Sequence, residues 1–181
     1  MKALQTDLPG VLLLEPQVYE DARGLTFESY NRRGFRETTG LDVEFVQDNR
    51  STSRKKVIRG LHYQVERPQG KLIAALRGEI YDVAVDLRRS SATFGKWVGF
   101  SLSETNRRMA WIPRGFAHGF LALSDPVDVL YKLDEFWSPA HERTIAWNDP
   151  QIGVRWPIRG EPILSDKDRR GASFRSADLF D

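Results

Sequence analysis

Apolar and polar residues alternate over many short stretches of the chain. Between Tyr81 and Leu87 the apolar positions alternate with Asp82, Ala84 and Asp86, so one face of the predicted strand is apolar and the other carries carboxylates. Residues 25–30 alternate in the same way and predict a half-buried strand. Further strands are predicted at residues 43–47, 57–64, 71–76, 96–102, 108–112, 116–123 and 127–133.

The segments between these strands have the composition of turns, with one exception. Residues 31–40 are polar, compatible with a helix and closed by Gly40, which predicts a short helix. Turns are predicted at residues 77–79 and 124–126, and the proline-rich tail after Trp147 is predicted to be mostly irregular. Many short strands without alternating helices favour an antiparallel all-β fold, and a double-sheet jelly roll closes such a fold naturally.

Composition places the chain among ordinary globular proteins. Its 181 residues suit one domain with a real core, and 40% of them are hydrophobic. The 27 basic residues nearly match the 25 acidic ones, so the charge gives no indication of nucleic-acid binding. The apolar run Val11–Leu14 is too short for a signal-peptide core, and nothing approaches the ~20 apolar residues of a membrane span.

Cysteine is absent from the sequence. Disulfides, thiolate metal sites and a cysteine nucleophile are therefore excluded. A cytoplasmic location is compatible with this composition and is our expectation.

The chain has three histidines, His62, His118 and His141. Histidines within strands are more often structural than catalytic, but Gly60 and Gly119 beside two of them indicate a close approach of backbone or ligand. Regular alternation would place Gly60 and His62 on one sheet face and Arg59 on the other. A site that uses both Arg59 and His62 therefore requires a bulge or a bend, which Gly60 permits.

Other polar residues have a structural interpretation beside a functional one. Lys71 opens a predicted strand after a turn, where a solvated strand end is the simpler interpretation. Tyr131 follows an apolar run and would ordinarily lie in the core or at its rim. The charged cluster at residues 165–168 would ordinarily be a solvated loop.

Taken together, these segments resemble the dTDP-4-dehydrorhamnose 3,5-epimerase family, and the resemblance covers nearly the whole chain. No single motif would be specific, but their ordered set is. The segments that carry it are Arg23-Gly24, Phe27-Glu28, residues 45–49 with Ser51, 59–64, 70–72, 82–88, 93–97, 112–120, Tyr131-Lys132, 147–150 and 164–168.

The resemblance implies a fold, a reaction and an assembly. Members have a cupin-like jelly roll, usually form homodimers, and act on a dTDP-linked 4-keto-6-deoxyhexose without a metal or another cofactor. For this chain it implies one epimerase domain over residues 1–181. It also implies His62 as the base, Asp168 as its partner, Tyr131 as the acid on the opposite sugar face, and Lys71 beside the keto oxygen.

The resemblance also implies a set of substrate-binding residues. These are Arg23, Glu28, Gln47, Asp48, Asn49, Arg59, His118, Glu142 and Lys167. Arg23 and Glu28 would reach the site of the partner subunit. Where many relatives carry tyrosines, this chain has Phe136 and Trp137; Phe136 is our candidate for stacking on the thymine, and Trp137 is the alternative.

The chemistry explains why these residue types are needed. Epimerisation beside a ketone removes a weakly acidic hydrogen and returns a proton from the other face. Histidine has an ordinary pKa of about 6.5 and suits the base, while tyrosine can donate a proton and remains neutral at pH 7. A cation such as Lys71 suits the developing enolate, and arginines such as Arg23 and Arg59 suit the diphosphate.

Three alternatives stay open from sequence. His62 and His118 with a carboxylate could form the facial triad of a metal-dependent cupin, although the usual His-x-His spacing is absent. A non-catalytic, sugar-binding jelly roll is a second alternative. The third is an epimerase that inverts only C3 or only C5, since such enzymes share the same residues.

Overall fold

The computed structural model describes residues 1–181 and consists mainly of antiparallel strands with two short α-helices. The helices are α1 (Arg32–Thr39) and α2 (Asp166–Arg169), and a 3-10 turn covers Phe174–Ser176. The strands are β1 (Lys2–Gln5), β2 (Leu12–Glu15), β3 (Val18–Asp21), β4 (Gly24–Phe27), β5 (Gln47–Ser53), β6 (Ile58–Gln64), β7 (Lys71–Arg77), β8 (Glu79–Asp86), β9 (Trp97–Ser103), β10 (Met109–Ile112), β11 (Phe116–Ala122), β12 (Val127–Leu133) and β13 (Glu142–Thr144).

Two sheets form the body of the molecule. The larger has the order β1-β2-β10-β7-β12-β5, and the smaller has the order β13-β6-β11-β8-β9. A separate hairpin joins β3 to β4. This arrangement confirms the predicted all-β, cupin-like double-sheet jelly roll with short helices and an irregular tail.

The main core lies between the two sheets and contains fifteen buried residues. Ile73 of β7 and Val129 of β12 face Ala84 of β8 and Phe120 of β11 within it. Because residues two apart share a sheet face, the carboxylates of β8 are on the inner face with Ala84. Asp82 and Asp86 are accordingly fully buried and need polar partners inside the protein.

The outer sheet faces are covered by different segments. Phe174 and Ile152 of the tail pack on the outer face of the smaller sheet, against Val83 and Val85. Helix α1 packs Phe35 against the outer face of the larger sheet. The predicted helix at residues 31–40 is confirmed, with Asn31 as the N-cap and Gly40 as the left-handed C-cap.

Several element boundaries differ from the sequence predictions. The strand predicted at residues 43–47 begins only at Gln47 and continues to Ser53. The strand predicted at 25–30 ends at Phe27, and Leu25 is 43% exposed, so this strand is not half-buried within the chain. Strands β1, β2, β3 and β13 were not predicted, because they have only three or four residues each and no longer alternating run surrounds them.

Candidate active site

A polar cavity of about 600 Å³ lies between the two sheets, and both predicted catalytic residues and predicted substrate-binding residues line it. Three of the four predicted catalytic side chains, those of His62, Lys71 and Tyr131, line it directly. Of the predicted substrate-binding residues, the cavity is lined by Gln47, Asp48, Asn49, Arg59, His118, Glu142 and Lys167.

A bulge brings Arg59 and His62 into the same cavity. The pairing of β6 with β11 shifts register between His118 and Phe120, opposite this part of β6. Gly60 has a φ of 129°, and a Cβ there would lie 2.6 Å from the Cα of Gly119. Only glycine fits this close approach of two backbones. The predicted irregularity at Gly60 is therefore confirmed.

His62 is paired with Asp168, as the resemblance implied. The Nε2 atom of His62 lies 2.5 Å from Oδ1 of Asp168. Burial lowers the pKa of His62 below its ordinary value, whereas the hydrogen bond and charge of Asp168 act in the opposite direction. The pair can therefore hold an unprotonated imidazole near neutral pH and stabilise the imidazolium that forms when it accepts a proton.

Asp168 itself is fixed by the short helix α2. Ser165 is the N-cap: its Oγ accepts a hydrogen bond from the Asp168 backbone N–H at 3.1 Å and donates one to Asp168 Oδ2 at 2.8 Å. Burial acts to raise the pKa of Asp168, but hydrogen bonds from His62 and Ser165 keep it below its usual value. The cluster at residues 165–168 is therefore not a simple solvated loop: it forms the start of α2 and buries Asp168, although Ser165, Asp166 and Lys167 are exposed as expected.

Lys71 is buried beside His62 rather than solvated. Its residue exposure is 8%, and Nζ donates a hydrogen bond to the backbone oxygen of His62 at 3.3 Å. Burial lowers the pKa of Lys71 to about 8. An ammonium in this position can stabilise negative charge in the cavity without competition from bulk water.

Tyr131 approaches the cavity from the opposite wall to His62. It belongs to β12 of the larger sheet, whereas His62 belongs to β6 of the smaller sheet. Burial raises the pKa of Tyr131 above its ordinary value, so the phenol keeps its proton at neutral pH. The Tyr131 ring packs edge-on against His118, with centroids 6.1 Å apart.

The remaining lining residues form a polar rim with internal pairs. Gln47 Nε2 donates to Asn49 Oδ1 at 2.9 Å, and Lys167 Nζ lies 2.9 Å from Glu142 Oε1. Asp48 also borders the cavity, but its carboxylate is paired with Lys132 at 2.8 Å.

Three predicted binding residues do not reach this cavity within the chain. The Arg23 side chain is 89% exposed and pairs with Asp21 at 2.6 Å on the β3–β4 hairpin, while Glu28 contacts the Asn31 amide. Phe136 is 55% exposed and lies outside the lining. Trp137 lines the cavity, with its backbone N–H donating to Gln47 Oε1 at 2.9 Å, so of the two candidates for stacking on the thymine only Trp137 borders the cavity.

Some lining residues were not predicted as site residues. Gln69 lies in the segment that leads into β7. Phe120 and Leu133 are buried core residues that also border the cavity. Arg50 and Ser51 continue the polar strand β5 beyond Asn49. Extending the Gln47–Asn49 segment along the same strand would have identified these two, because alternate residues of one strand share a face.

Neither a metal site nor a membrane span is recognisable. Nowhere do three or more histidine or carboxylate side chains come together in a way that could hold a metal ion. Instead, His62 and His118 are each held by a different carboxylate. None of the helices is long and apolar enough to cross a membrane.

Comparison with known proteins gives a consistent family assignment. Residues 5–176 match the family model described as dTDP-4-dehydrorhamnose 3,5-epimerase. The enzyme of that name from Pseudomonas aeruginosa is 56% identical over 180 residues, which is 99% of each chain.

Solved structures agree with this assignment. The crystal structure of dTDP-6-deoxy-D-glucose-3,5-epimerase from Legionella pneumophila in complex with dTDP-4-keto-L-rhamnose superposes with a TM-score of 0.95 at 44% identity, covering 98% of this chain and 94% of that one. A 3'-monoepimerase from Streptomyces bikiniensis in complex with dTDP-quinovose gives a TM-score of 0.89 at 31% identity, covering 97% and 88%. The chain belongs to the dTDP-4-dehydrorhamnose 3,5-epimerase family.

Proposed function

We propose that this protein is an isomerase that epimerises dTDP-4-dehydro-6-deoxy-D-glucose at C3 and C5 and so forms dTDP-4-dehydro-L-rhamnose. The observation that carries the proposal is the placement of a His–Asp pair and a neutral tyrosine on opposite walls of one cavity. Inversion of a carbon requires a base on one side and an acid on the other, and His62 and Tyr131 supply them. We expect the reaction to need no metal or other cofactor.

The reaction proceeds in two proton transfers at each carbon. Unprotonated His62 takes the proton from the carbon next to the keto group; the C–H electron pair forms the C=C bond and the carbonyl electron pair moves to the oxygen, which gives an enolate. Lys71 and His118 would stabilise that oxygen, for which a preorganised donor contributes about 2.7–4 kcal/mol. Tyr131 then donates its proton from the other face of the sugar, and exchange with solvent restores both groups.

The other lining residues suit the nucleotide part of the substrate. Arg59 and Lys167 place cationic groups at the cavity, and Arg59 can contact a diphosphate in bidentate geometry. Trp137 offers an exposed indole face on which the thymine can stack. Gln47, Asn49 and Glu142 supply hydrogen-bonding groups at the rim.

We further propose that the protein works as a homodimer in the cytoplasm, with residues 1–181 as one epimerase domain. The β3–β4 hairpin extends Arg23 into solvent and leaves Leu25 exposed. An apolar cleft of about 340 Å³ beside it is lined by residues that include Leu25, Phe27 and Leu76. A second copy would cover this apolar surface and receive Arg23 and Glu28 at its own cavity.

Solvent exchange in D₂O tests the reaction directly. Purified protein is mixed with the 4-keto-6-deoxy sugar nucleotide, and NMR follows deuterium at each carbon together with product stereochemistry. We expect deuterium at both C3 and C5 and the L-rhamno configuration. Exchange and inversion at one carbon alone would identify a mono-epimerase, as in the Streptomyces relative, and no exchange at either carbon would rule out the enzyme.

Substitution of histidines links the activity to this cavity. His62→Ala should abolish exchange at both carbons, because no other lining group replaces the base. His141→Ala is the matched control, since His141 lies outside the cavity and contacts Ser138 and Glu66. Full exchange by His62→Ala, or equal loss in both variants, would contradict the assignment of His62.

A further inference from the structure

A second histidine–carboxylate pair lies behind the cavity wall. His118 Nε2 lies 2.7 Å from Asp82 Oδ1, and both residues are buried. Asp82 does not line the cavity, and its second oxygen, Oδ2, is buried without a hydrogen-bond partner. Burial of a carboxylate with an unpaired oxygen costs free energy unless nearby positive charges or hydrogen-bond donors offset that cost.

The strand order places His118 on the strand between those of His62 and Asp82. His118 is directly opposite His62 in the β6–β11 pairing, and Asp82 is opposite Phe120 on the other side of β11. Lys71 enters the same space from the larger sheet and forms no ion pair; its Nζ contacts only the His62 backbone oxygen. Any negative charge that compensates the Lys71 ammonium therefore acts on it through space and not through a direct contact.

We propose that Asp82 is a positioning residue of the active site: its carboxylate orients His118 through Nε2 and, from behind the cavity wall, serves as a counter-charge for the unpaired Lys71. The proposal rests on the proposed function, since it assigns Asp82 to the enolate-stabilising side of that reaction. Asp82 itself touches no substrate. It acts only through His118 and Lys71.

The charge of Asp82 affects the protonation of Lys71, because the pKa of this lysine lies close to neutral. Burial lowers the pKa of Lys71 to about 8, against the raising effects of Glu142 and Asp82, while Lys167 lowers it further. Lys71 is therefore protonated at neutral pH by a narrow margin. The other titratable groups that line the cavity around it are His62, Arg59, Asp48, Arg50, His118 and Tyr131.

Asp82 depends on the same partners. Burial raises the pKa of Asp82, and the hydrogen bond and charge of His118 together with the charge of Lys71 oppose that rise. The Asp82 carboxylate and the Lys71 ammonium thus stabilise each other's charged forms. With Nε2 of His118 held by Asp82, the remaining ring nitrogen is available to the cavity that His118 lines.

Titration of Lys71 tests the proposal without turnover. Protein labelled with 13C-lysine is titrated by NMR as wild type, Asp82→Asn and Asp86→Asn, with Lys71→Met used to assign the signal. Asparagine keeps the size of the side chain and an acceptor for His118 but removes the charge. Asp86 is the matched control, because it is equally buried on the same strand and binds Arg88, Ser91 and Thr93.

We expect the Lys71 midpoint to fall by about one pH unit in Asp82→Asn, as loss of a nearby opposite charge requires. It should stay unchanged in Asp86→Asn. The alkaline limb of the kcat–pH profile should move to lower pH by the same amount in Asp82→Asn, with KM changed less than about twofold. An unchanged Lys71 midpoint, or an equal shift in the Asp86 control, would overturn the proposal.

Two further outcomes are separable. If wild-type protein fails to epimerise while the Lys71 midpoint still moves in Asp82→Asn, the proposed function is lost and the coupling of Asp82 to Lys71 stands. If Asp82→Asn does not fold, 15N-histidine NMR of wild-type protein decides the orientation of His118. A proton on Nε2 of His118 at pH 7 supports the proposal, and an unprotonated Nε2 overturns it.

Discussion

Two opposing influences set the proton affinity of His62. Burial lowers its pKa, as do the nearby charges of Lys71 and Lys167, whereas Asp168 raises it. The lowered pKa leaves the imidazole unprotonated and ready to accept a proton at neutral pH. The same shift weakens the base, and Asp168 limits that loss by stabilising the imidazolium.

Replacement of Asp168 by Asn should therefore move the acidic limb of kcat/KM to lower pH. Loss of the carboxylate removes the contribution that raises the His62 pKa, so protonation of the free base occurs only in more acidic solution. We also expect kcat to fall roughly 10²-fold, because the imidazolium loses its partner. The measurement is the pH profile of epimerisation.

Asp149→Asn is the matched control for this prediction. Asp149 is also buried, but it accepts backbone hydrogen bonds from Gln151 and Phe174 in the tail, outside the cavity. Its replacement should lower stability and leave the acidic limb in place. A shift of the acidic limb to higher pH in Asp168→Asn would show that Asp168 does not act as a charged partner of His62.

Tyr131→Phe should separate inversion from exchange. The substitution leaves His62 and Lys71 intact, so hydrogen abstraction and enolate formation continue, while the proton donor on the opposite wall is lost. We expect inversion to fall roughly 10²-fold and deuterium exchange to fall much less. NMR in D₂O measures both quantities in one sample, and an equal loss of the two would contradict the assignment of Tyr131 as the opposing acid.

At the scale of elements, a four-residue helix determines whether the base has its partner. Ser165 caps α2 and contacts both the backbone N–H and the Oδ2 atom of Asp168. Ser165→Ala should cost about 1 kcal/mol of stability, as for other N-caps, and should also lower kcat several-fold by loosening Asp168. Thermal unfolding and steady-state kinetics measure the two effects.

Ser173→Ala isolates the capping effect from the catalytic one. Ser173 caps the 3-10 turn at Phe174–Ser176 and accepts a hydrogen bond from Ser176, with no contact to Asp168. This variant should lose a similar amount of stability and keep the wild-type kcat. Equal kinetic losses in the two serine variants would show that Ser165 matters only for folding.

The sequence predicted elements well where burial leaves a periodic pattern. The β8 and β12 strands and helix α1 have such patterns or clear caps, and they lie where predicted. Strand β5 was predicted too early in the chain, at residues 43–47, because its actual residues, Gln47–Ser53, include no apolar side chain. Backbone pairing with β12 holds this strand in place. A strand of that kind is specified by its neighbours rather than by its own pattern.

The candidate site shows the same division. Alternation indicated that Arg59 and His62 could share a site only through an irregularity at Gly60, and the structure has that irregularity. The pairing of His62 with Asp168, 106 residues away in sequence, came only from family resemblance. The choice of Trp137 over Phe136 needed the structure, because adjacent aromatic residues differ only in the direction of their side chains.

At the scale of the whole molecule, the two sheets differ in how their outer faces are covered. The tail covers the smaller sheet, whereas α1 covers only part of the larger one. The uncovered part carries the 340 Å³ apolar cleft, and Leu25 and Leu76 are 43% and 47% exposed beside it. Exposed apolar surface of this kind is typical of an interface, which supports the proposed homodimer.

A dimer would also explain why Arg23 and Glu28 lie away from the cavity of their own chain. A two-fold interface is reciprocal, so if the hairpin of one subunit reaches the cavity of its partner, the partner's hairpin reaches the first cavity in the same way. Arg23→Ala should then raise KM, because a diphosphate contact is lost, and should leave kcat nearly unchanged.

Mixing two variants with different defects, a raised KM in Arg23→Ala and a lost base in His62→Ala, tests this arrangement. Arg23→Ala and His62→Ala proteins are exchanged into mixed dimers and assayed at low substrate. If Arg23 serves the partner's cavity, each mixed dimer has one site with both lesions and one intact site, so about a quarter of all sites regain wild-type KM after random exchange of equal amounts. If Arg23 serves its own cavity, every site carries one lesion and mixing restores nothing, which would remove the structural reason for placing Arg23 in the active site of the partner.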